Sequence, residues 1–168
     1  SGSFSPWASK QMIYFFCFLP IAIILILIDI NIWYKISYFI YGIALLLLFY
    51  VEFFGHTAMG ATRWIRLPGF NIQPSETMKL GLVIGLARYF FDKDLKQIQS
   101  NKNLIIPILM IFIPTLLVLK QPDLGTAFIL TSIGVGILFL VGVQWWKFAI
   151  CGVLFFSSLP FIWKYGLH

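Results

Sequence analysis

Six long apolar runs occupy most of this chain of 168 residues and constrain its fold more than any other feature. Each run is close to the length of about 20 residues that a helix needs to cross the hydrocarbon core of a bilayer. The runs are continuous, which argues against the alternating pattern of a membrane barrel. The sequence therefore predicts an all-α, polytopic integral membrane protein. Its single helical domain would cover residues 1–168, with spans at 12–28, 36–54, 74–91, 104–119, 124–143 and 148–163.

The composition excludes an ordinary soluble domain and argues against nucleic-acid binding. Hydrophobic residues make up 60% of the chain and charged ones 11%, against roughly 45–50% and 25% in soluble domains. The formal net charge is +6, but the basic residues are scattered through the links between apolar runs and form no continuous patch. We therefore expect membrane lipids, rather than nucleic acid, to be their partners.

The third span carries charged residues into the membrane. From Leu80 it has only twelve residues before Asp92, or roughly 18 Å of helix, which is too short for a hydrocarbon core of about 30 Å. Glu76 and Lys79 must therefore enter the membrane, where they can pair on one helix face. Pro74 suits the first turn of the helix. Ionisable residues within a membrane favour a functional role, although this pair could simply neutralise itself.

The fifth span starts with a related motif, since Gln-Pro-Asp at residues 121–123 echoes Gln-Pro-Ser-Glu at residues 73–76. Pro122 suits a first-turn position, and Asp123 would lie near the positive end of the helix dipole. Because the third and fourth spans cross the membrane once in each direction, the third and fifth spans should start at the same membrane face. Their acids could line one cavity, or Asp123 could be only a helix-start acid.

Four further residues near that face are substrate-binding candidates: Arg63, Arg66, Gln73 and Gln121. The two arginines could equally be interface anchors whose charged ends reach the headgroups. His56 has no second His, Cys or carboxylate at metal-ligand spacing. The sequence therefore predicts no metal site and no cofactor, with a divalent cation held near Asp123 as the alternative left open.

Small residues and prolines predict how some of the helices pack. Gly81 and Gly85 form a small-xxx-small pair, which lets neighbouring backbones approach closely. Pro107 and Pro114 interrupt the fourth span, and a membrane helix tolerates them when neighbouring helices satisfy the freed carbonyls. Lys and Arg do not orient the spans, because six basic residues fall on each side of the predicted topology.

Three motifs, in this order and at these separations, resemble one family of membrane proteins. Gly-Ala-x-Arg-Trp-Ile begins at Gly60, Gln-Pro-Ser-Glu-x-x-Lys begins at Gln73, and Gln-Pro-Asp-Leu-Gly-Thr begins at Gln121. The pattern resembles the SEDS family (shape, elongation, division and sporulation), and its RodA branch most of all. The resemblance implies ten transmembrane helices in the bacterial inner (cytoplasmic) membrane, six of them in this chain. It also puts residues 55–73 and 120–123 on the outer face.

The function implied by the resemblance is that of a peptidoglycan glycosyltransferase for cell elongation and rod shape. Such an enzyme joins units of lipid II, an undecaprenyl pyrophosphate-linked disaccharide-peptide, into glycan strands, with a class B penicillin-binding protein as its partner. Glu76, Lys79 and Asp123 match family positions in the central cavity. The family's catalytic Asp belongs to a long outer loop beyond residue 168, so we expect no catalytic residue in this chain and no activity from this fragment alone.

Two functions of other classes remain open. A flippase or transporter of lipid-linked cell-wall precursors would also need broken helices and charged residues in a cavity. The second is a non-catalytic scaffold of the cell-wall synthesis complex, in which the paired acids would have no functional role. A role in division rather than elongation is a further alternative within the family.

Overall fold

The computed structural model describes residues 6–54, 56–58, 61–67, 70–150 and 152. Helices make up most of these residues, and residues 145–150 are also helical. In chain order the elements are α1 (Pro6–Leu27), α2 (Ile30–Phe54), β1 (His56–Ala58), β2 (Ala61–Leu67), β3 (Phe70–Ile72), α3 (Pro74–Phe91), α4 (Leu95–Gln99), α5 (Asn101–Lys120) and α6 (Leu124–Leu140).

The helices lie where the apolar runs are, but they differ from the predicted spans at their ends. Within the described residues, α1, α2 and α5 are long and apolar enough to cross a membrane, and α6 is a shorter apolar helix. The helices α1 and α2 begin before residues 12 and 36, because a helix can continue beyond the hydrocarbon into the interface. Most of the predicted span 148–163 lies outside the described residues, so the number of crossings stays a prediction.

The α6 helix ends at Leu140 rather than at residue 143. Gly142 has a φ of +94°, and its N–H donates to the carbonyl of Phe139 at 3.1 Å, while the N–H of Val143 donates to that of Leu138 at 3.1 Å. This Schellman pattern satisfies two of the last carbonyls of the helix, and glycine adopts its positive φ without strain. The sequence signal for the end of α6 is Gly142, because glycine is common just after the last residue of a helix.

A small antiparallel sheet, in the order β1-β2-β3, occupies most of the predicted link 55–73. Ala58 lies opposite Ala61 and Leu67 lies opposite Phe70, so two residues separate the strands in each case. Those two-residue separations contain Gly60 and, in the second case, a Pro-Gly pair, which is a turn signal in the sequence.

Contacts divide the chain into two units, residues 1–36 and residues 37–168. In the first unit, α1 contains Pro20 and exposes its apolar side chains from Met12 to Leu27, up to 81% at Ile26. Asp29 starts α2, since its Oδ1 accepts from the N–H of Asn31 at 2.7 Å.

The second unit has its core among α3, α5, α6 and the later part of α2. Buried side chains of this core include Leu48, Met78, Leu82, Leu86, Val118 and Leu130. A Cβ at Gly81 would lie 3.3 Å from the Cα of Tyr41, and one at Gly85 would lie 2.9 Å from the methyl carbon of Met110. The predicted close approach at this glycine pair is therefore confirmed.

The two prolines of α5 each free one carbonyl, and a tyrosine of another helix takes it. Pro107 cannot donate to the carbonyl of Asn103, which accepts from the Tyr89 hydroxyl at 2.7 Å. Pro114 likewise frees the carbonyl of Met110, which accepts from the Tyr41 hydroxyl at 3.0 Å. The expectation that neighbouring helices satisfy these carbonyls is confirmed.

Candidate functional site

The starts of α3 and α6 lie at the same end of the second unit. Side chains near the end of α3 meet the start of α5, as in the bond from Tyr89 to Asn103. The middle of α5 meets the middle of α6, where a Cβ at Gly134 would collide with Ile111. The start of α5 and the end of α6 share a groove that includes Leu104 and Leu138. The helix α5 therefore runs antiparallel to both neighbours.

The α3 helix starts with a fixed backbone and no side-chain cap. Gln73 is the N-cap residue, with an extended backbone (φ −102°, ψ 107°), and its side chain makes no capping hydrogen bond. Pro74 occupies the first helical position, as predicted, where its missing N–H costs nothing. Pro74 and Ser75 are buried, so packing fixes the direction in which the helix enters the unit.

Glu76 and Lys79 form the ion pair predicted from their spacing. The Lys79 Nζ lies 2.8 Å from Oε1 and 2.7 Å from Oε2 of Glu76, so one ammonium contacts both oxygens. The Lys79 side chain is 22% exposed and that of Glu76 is 57% exposed. Glu76 also complements the positive end of the α3 dipole. The lysine is thus held on the helix surface with its charge balanced by a more exposed carboxylate.

Asp123 is the N-cap residue of α6. Its Oδ1 accepts from the N–H of Thr126 at 3.1 Å, and its Oδ2 accepts from the Thr126 hydroxyl at 2.9 Å. The first-turn position predicted for Pro122 is wrong, because Pro122 precedes the N-cap and lies outside the helix. The Asp-x-x-Thr spacing marked Thr126 as a partner of the cap, but sequence reasoning missed this residue.

The two glutamine candidates occupy different environments. Gln121 is the C-cap residue of α5 and is buried, with 4% of its surface exposed. Gln73 is half-buried beside the start of α3. The buried amide of Gln121 at the end of α5 favours a structural role in the α5–α6 link. Substrate binding by Gln73 or Gln121 stays a prediction.

The two arginine candidates lie on β2, which contacts α3. The backbone of Arg66 is opposite that of Asn71 on β3, and Arg63 lies three residues earlier on the same strand. Their side chains lie outside the described part of the structure. The fold therefore brings the strand that carries them to the helix that carries Glu76 and Lys79, and their contacts stay a prediction.

No group of three or more His, Cys, Asp or Glu residues that could hold a metal ion occurs within the described ranges. At the α6 start, each Asp123 oxygen accepts one bond from Thr126. The described contacts assign that carboxylate to a helix cap, and a divalent cation beside it stays a prediction.

Comparison with known proteins gives one family and several relatives. The sequence model of the FTSW_RODA_SPOVE family, described as cell cycle protein, matches residues 2–167. Peptidoglycan glycosyltransferase MrdB of Escherichia coli (strain K12) is 38% identical over 130 residues, which are 77% of this chain and 35% of the relative. A probable peptidoglycan glycosyltransferase FtsW of Pasteurella multocida (strain Pm70) is 33% identical over 160 residues, covering 94% of this chain and 40% of the relative.

Solved structures match the fold over nearly the whole chain. A chain from a peptidoglycan synthase complex, described as coordinating polymerization and crosslinking, aligns with a TM-score of 0.82 and 27% identity, over 98% of this chain and 48% of that one. The rod shape determining protein RodA of Thermus thermophilus aligns with a TM-score of 0.70 and 26% identity, over 90% and 50%. This chain thus spans about half of these solved chains and 35% of the Escherichia coli relative. The predicted all-α, polytopic membrane fold is confirmed, with the small sheet as a local addition.

Proposed function

Because this chain belongs to the SEDS family of FtsW, RodA and SpoVE cell cycle proteins, we propose that it forms part of a peptidoglycan polymerase. The whole protein would join lipid II units into glycan strands during cell elongation. The names of the relatives support a glycosyltransferase, and the RodA structure supports the elongation branch.

The proposed reaction demands a base and a cation. The 4-hydroxyl of one lipid-linked disaccharide attacks the anomeric carbon of another, so that a glycosidic bond forms and the bond to polyprenyl pyrophosphate breaks. The hydroxyl proton passes to a general base, and the departing diphosphate takes the electron pair. Positively charged groups placed at that diphosphate lower the barrier because they stabilise the developing charge.

One observation carries the proposal: the starts of α3 and α6 lie at the same end of the unit, and the charged pair is on the first of them. Glu76 holds the Lys79 ammonium through both carboxylate oxygens, which positions it on the first turns of α3. Lys79 therefore suits the diphosphate of lipid II. Arg63 and Arg66, on the strand that contacts α3, are the candidates for a second cation at the same place.

Asp123 serves this site by positioning rather than by proton transfer. Its oxygens accept two bonds from Thr126, so the carboxylate orders the start of α6 beside the α3 start. The general base would then come from the part of the protein outside residues 1–168, in agreement with the outer-loop Asp that the family resemblance implies.

Membership of the same family also supports a partner protein and a membrane location for this proposal. A class B penicillin-binding protein would crosslink the strands that this protein polymerises, and the solved complex that coordinates polymerization and crosslinking supports that pairing. The bacterial inner membrane is the proposed location, because lipid II is a membrane-anchored substrate and the chain is a multi-pass membrane protein.

Lipid II polymerisation by the full-length protein with its penicillin-binding partner tests the proposal. We expect glycan strands on a gel, and we expect Lys79→Ala to slow their formation roughly 10²-fold, as loss of one well-placed electrostatic group does. The matched control is Lys96→Ala, which removes an exposed lysine from α4 at the opposite end of the unit and should leave the rate unchanged.

Other results would contradict parts of the proposal. Strands formed at the normal rate by Lys79→Ala would remove this lysine from diphosphate binding. A folded full-length protein that binds lipid II but makes no strands would contradict the polymerase. Lipid II translocation by that protein in vesicles would then favour the transporter, and its absence would favour the scaffold.

A further inference from the structure

An apolar groove of about 370 Å³ runs between α5 and α6, away from the candidate site. It begins at the end of the unit where α5 starts, and it continues past the middle of α5 to Thr115 and to the middle of α6 at Thr131. Its size falls within the range of sites that hold small ligands. The side chains along its length include Ile108, Ile111, Phe112, Thr115, Thr131 and Val135.

The floor of this groove forms because α6 touches α5 at a glycine. A Cβ at Gly134 would come within 2.5 Å of Ile111, so only glycine permits this approach. Farther along, Thr115 donates to the carbonyl of Ile111 at 2.8 Å and Thr131 donates to that of Ala127 at 2.9 Å. The two hydroxyl oxygens lie 3.4 Å apart. These groups therefore bond within the two helices and with each other, and the side chains beside them along the groove are apolar.

The mouth of the groove carries a positive charge. Lys147, with Asn101, lines the end near the start of α5. Its Nζ donates to the carbonyl of Gln99 at 2.6 Å and lies 5.6 Å from the centre of the Trp146 ring. These contacts hold the ammonium in place, and a group with three donor hydrogens can still reach a further acceptor. Around this end the sequence has five basic residues against two carboxylates: Arg88, Lys93, Lys96, Lys102 and Lys147 against Asp92 and Asp94.

We propose that this groove binds one acyl chain of an anionic glycerophospholipid, with the lipid phosphate at Lys147. Ile108, Phe112 and Val135 are exposed along the groove, so its long side opens on the outer surface of the described unit, where a membrane protein meets hydrocarbon. A cation at the end of an apolar groove matches an amphiphile with a negative headgroup. The charged mouth of the groove lies at the opposite end of α5 from Lys79 and Asp123, so a lipid whose phosphate binds there is distinct from the proposed substrate.

Native mass spectrometry of the full-length protein tests the proposal with phosphatidylglycerol and phosphatidylethanolamine that carry the same acyl chains. We expect the protein to retain phosphatidylglycerol roughly fivefold better, the preference that one lysine at the membrane surface supplies. Lys147→Gln should abolish this preference. Lys102→Gln is the matched control, because Lys102 is an exposed lysine of the same end that does not line the groove.

A second pair of variants tests the acyl site separately from the charge. Val135→Trp should fill the groove and reduce retention of both lipids. Leu140→Trp should not, because Leu140 is 82% exposed on the same helix and lies outside the groove. An unchanged preference in Lys147→Gln, or unchanged retention in Val135→Trp, would overturn the proposal. So would displacement of phosphatidylglycerol by equimolar undecaprenyl phosphate, since the groove would then belong to polyprenyl carriers.

Discussion

Glu76 and Asp123 both follow a Gln-Pro pair, yet the two acids hold different partners. Glu76 is three residues after Gln73 and lies inside the first turn of α3, where its carboxylate reaches Lys79. Asp123 is two residues after Gln121 and is itself the N-cap of α6, where its carboxylate reaches Thr126. The two helices also begin differently, since Pro74 is the first residue of α3 whereas Pro122 precedes the N-cap of α6. The acid of α3 therefore lies within the first turn of its helix, where it is able to hold a cation.

This difference predicts that Asp123 tolerates an amide. Asparagine caps a helix about as well as aspartate, whereas alanine costs roughly 1 kcal/mol. We expect Asp123→Asn to retain most of the polymerisation rate and the melting temperature of the full-length protein. Asp123→Ala should lower both, because the start of α6 is no longer fixed. Glycan-strand gels and thermal melting in detergent measure the two effects.

Asp94, the N-cap residue of α4 at the other end of the unit, is the matched control. Asp94→Ala should leave the polymerisation rate unchanged, because that end of the unit is remote from the candidate site. A stable Asp123→Asn variant without activity would show that the negative charge is required, as a divalent-cation ligand would require it.

At the scale of elements, two hydrogen bonds from neighbouring helices stabilise α5 where its own backbone lacks a donor. Each proline frees one carbonyl, and in hydrocarbon an unsatisfied carbonyl has no water to replace the lost donor. Tyr89 of α3 and Tyr41 of α2 supply the missing donors. Each proline of α5 therefore leads to a hydrogen bond with a different helix, α3 in one case and α2 in the other.

This arrangement predicts that a proline and its tyrosine are energetically coupled. Tyr89→Phe should cost roughly 0.6–1.7 kcal/mol, the range for hydrogen bonds between membrane helices. In a Pro107→Ala background it should cost close to nothing, because the alanine N–H can donate to the carbonyl of Asn103. A double-mutant cycle measured by unfolding in mixed micelles gives the coupling.

Tyr14→Phe is the matched control for this cycle, because Tyr14 lies exposed on α1, and it should have no effect in either background. Equal costs of Tyr89→Phe with and without Pro107 would mean that the hydroxyl stabilises the protein in another way. The Tyr41–Pro114 pair provides an independent repeat of the same test.

Hydropathy predicted where the helices lie, but it could not predict what joins them. The sequence predicts the third span at residues 74–91, and α3 occupies those residues, because a proline marks its start and charged residues follow its end. The partners of Pro107 and Pro114 could not be named, since a freed carbonyl indicates only that some donor must come from another helix. The strands β1 to β3 were missed because short runs of 3 to 7 residues have little periodicity.

At the scale of the whole molecule, the antiparallel course of α5 fixes which links share a membrane side. The α5 helix has 20 residues, or about 30 Å of length, which matches the hydrocarbon thickness. Lys120 at its end therefore belongs to the same side as the starts of α3 and α6. Lys96 of α4, before its start, belongs to the other side. Charge could not choose between the two orientations, whereas the family resemblance puts residues 120–123 outside.

Labelling of single cysteines in the full-length protein decides the orientation. In a background in which every native cysteine of the full-length protein, Cys17 and Cys151 among them, is replaced by alanine, we expect a membrane-impermeant maleimide to label Lys120→Cys in intact spheroplasts. Lys96→Cys should react only after permeabilisation, because α5 separates the two positions by the thickness of the membrane. The reverse pattern would place the Glu76–Lys79 pair at the cytoplasmic face, where it could not meet the sugars of lipid II exported for polymerisation. Labelling of both positions from outside would mean that α5 does not span the bilayer, although its length and composition permit it.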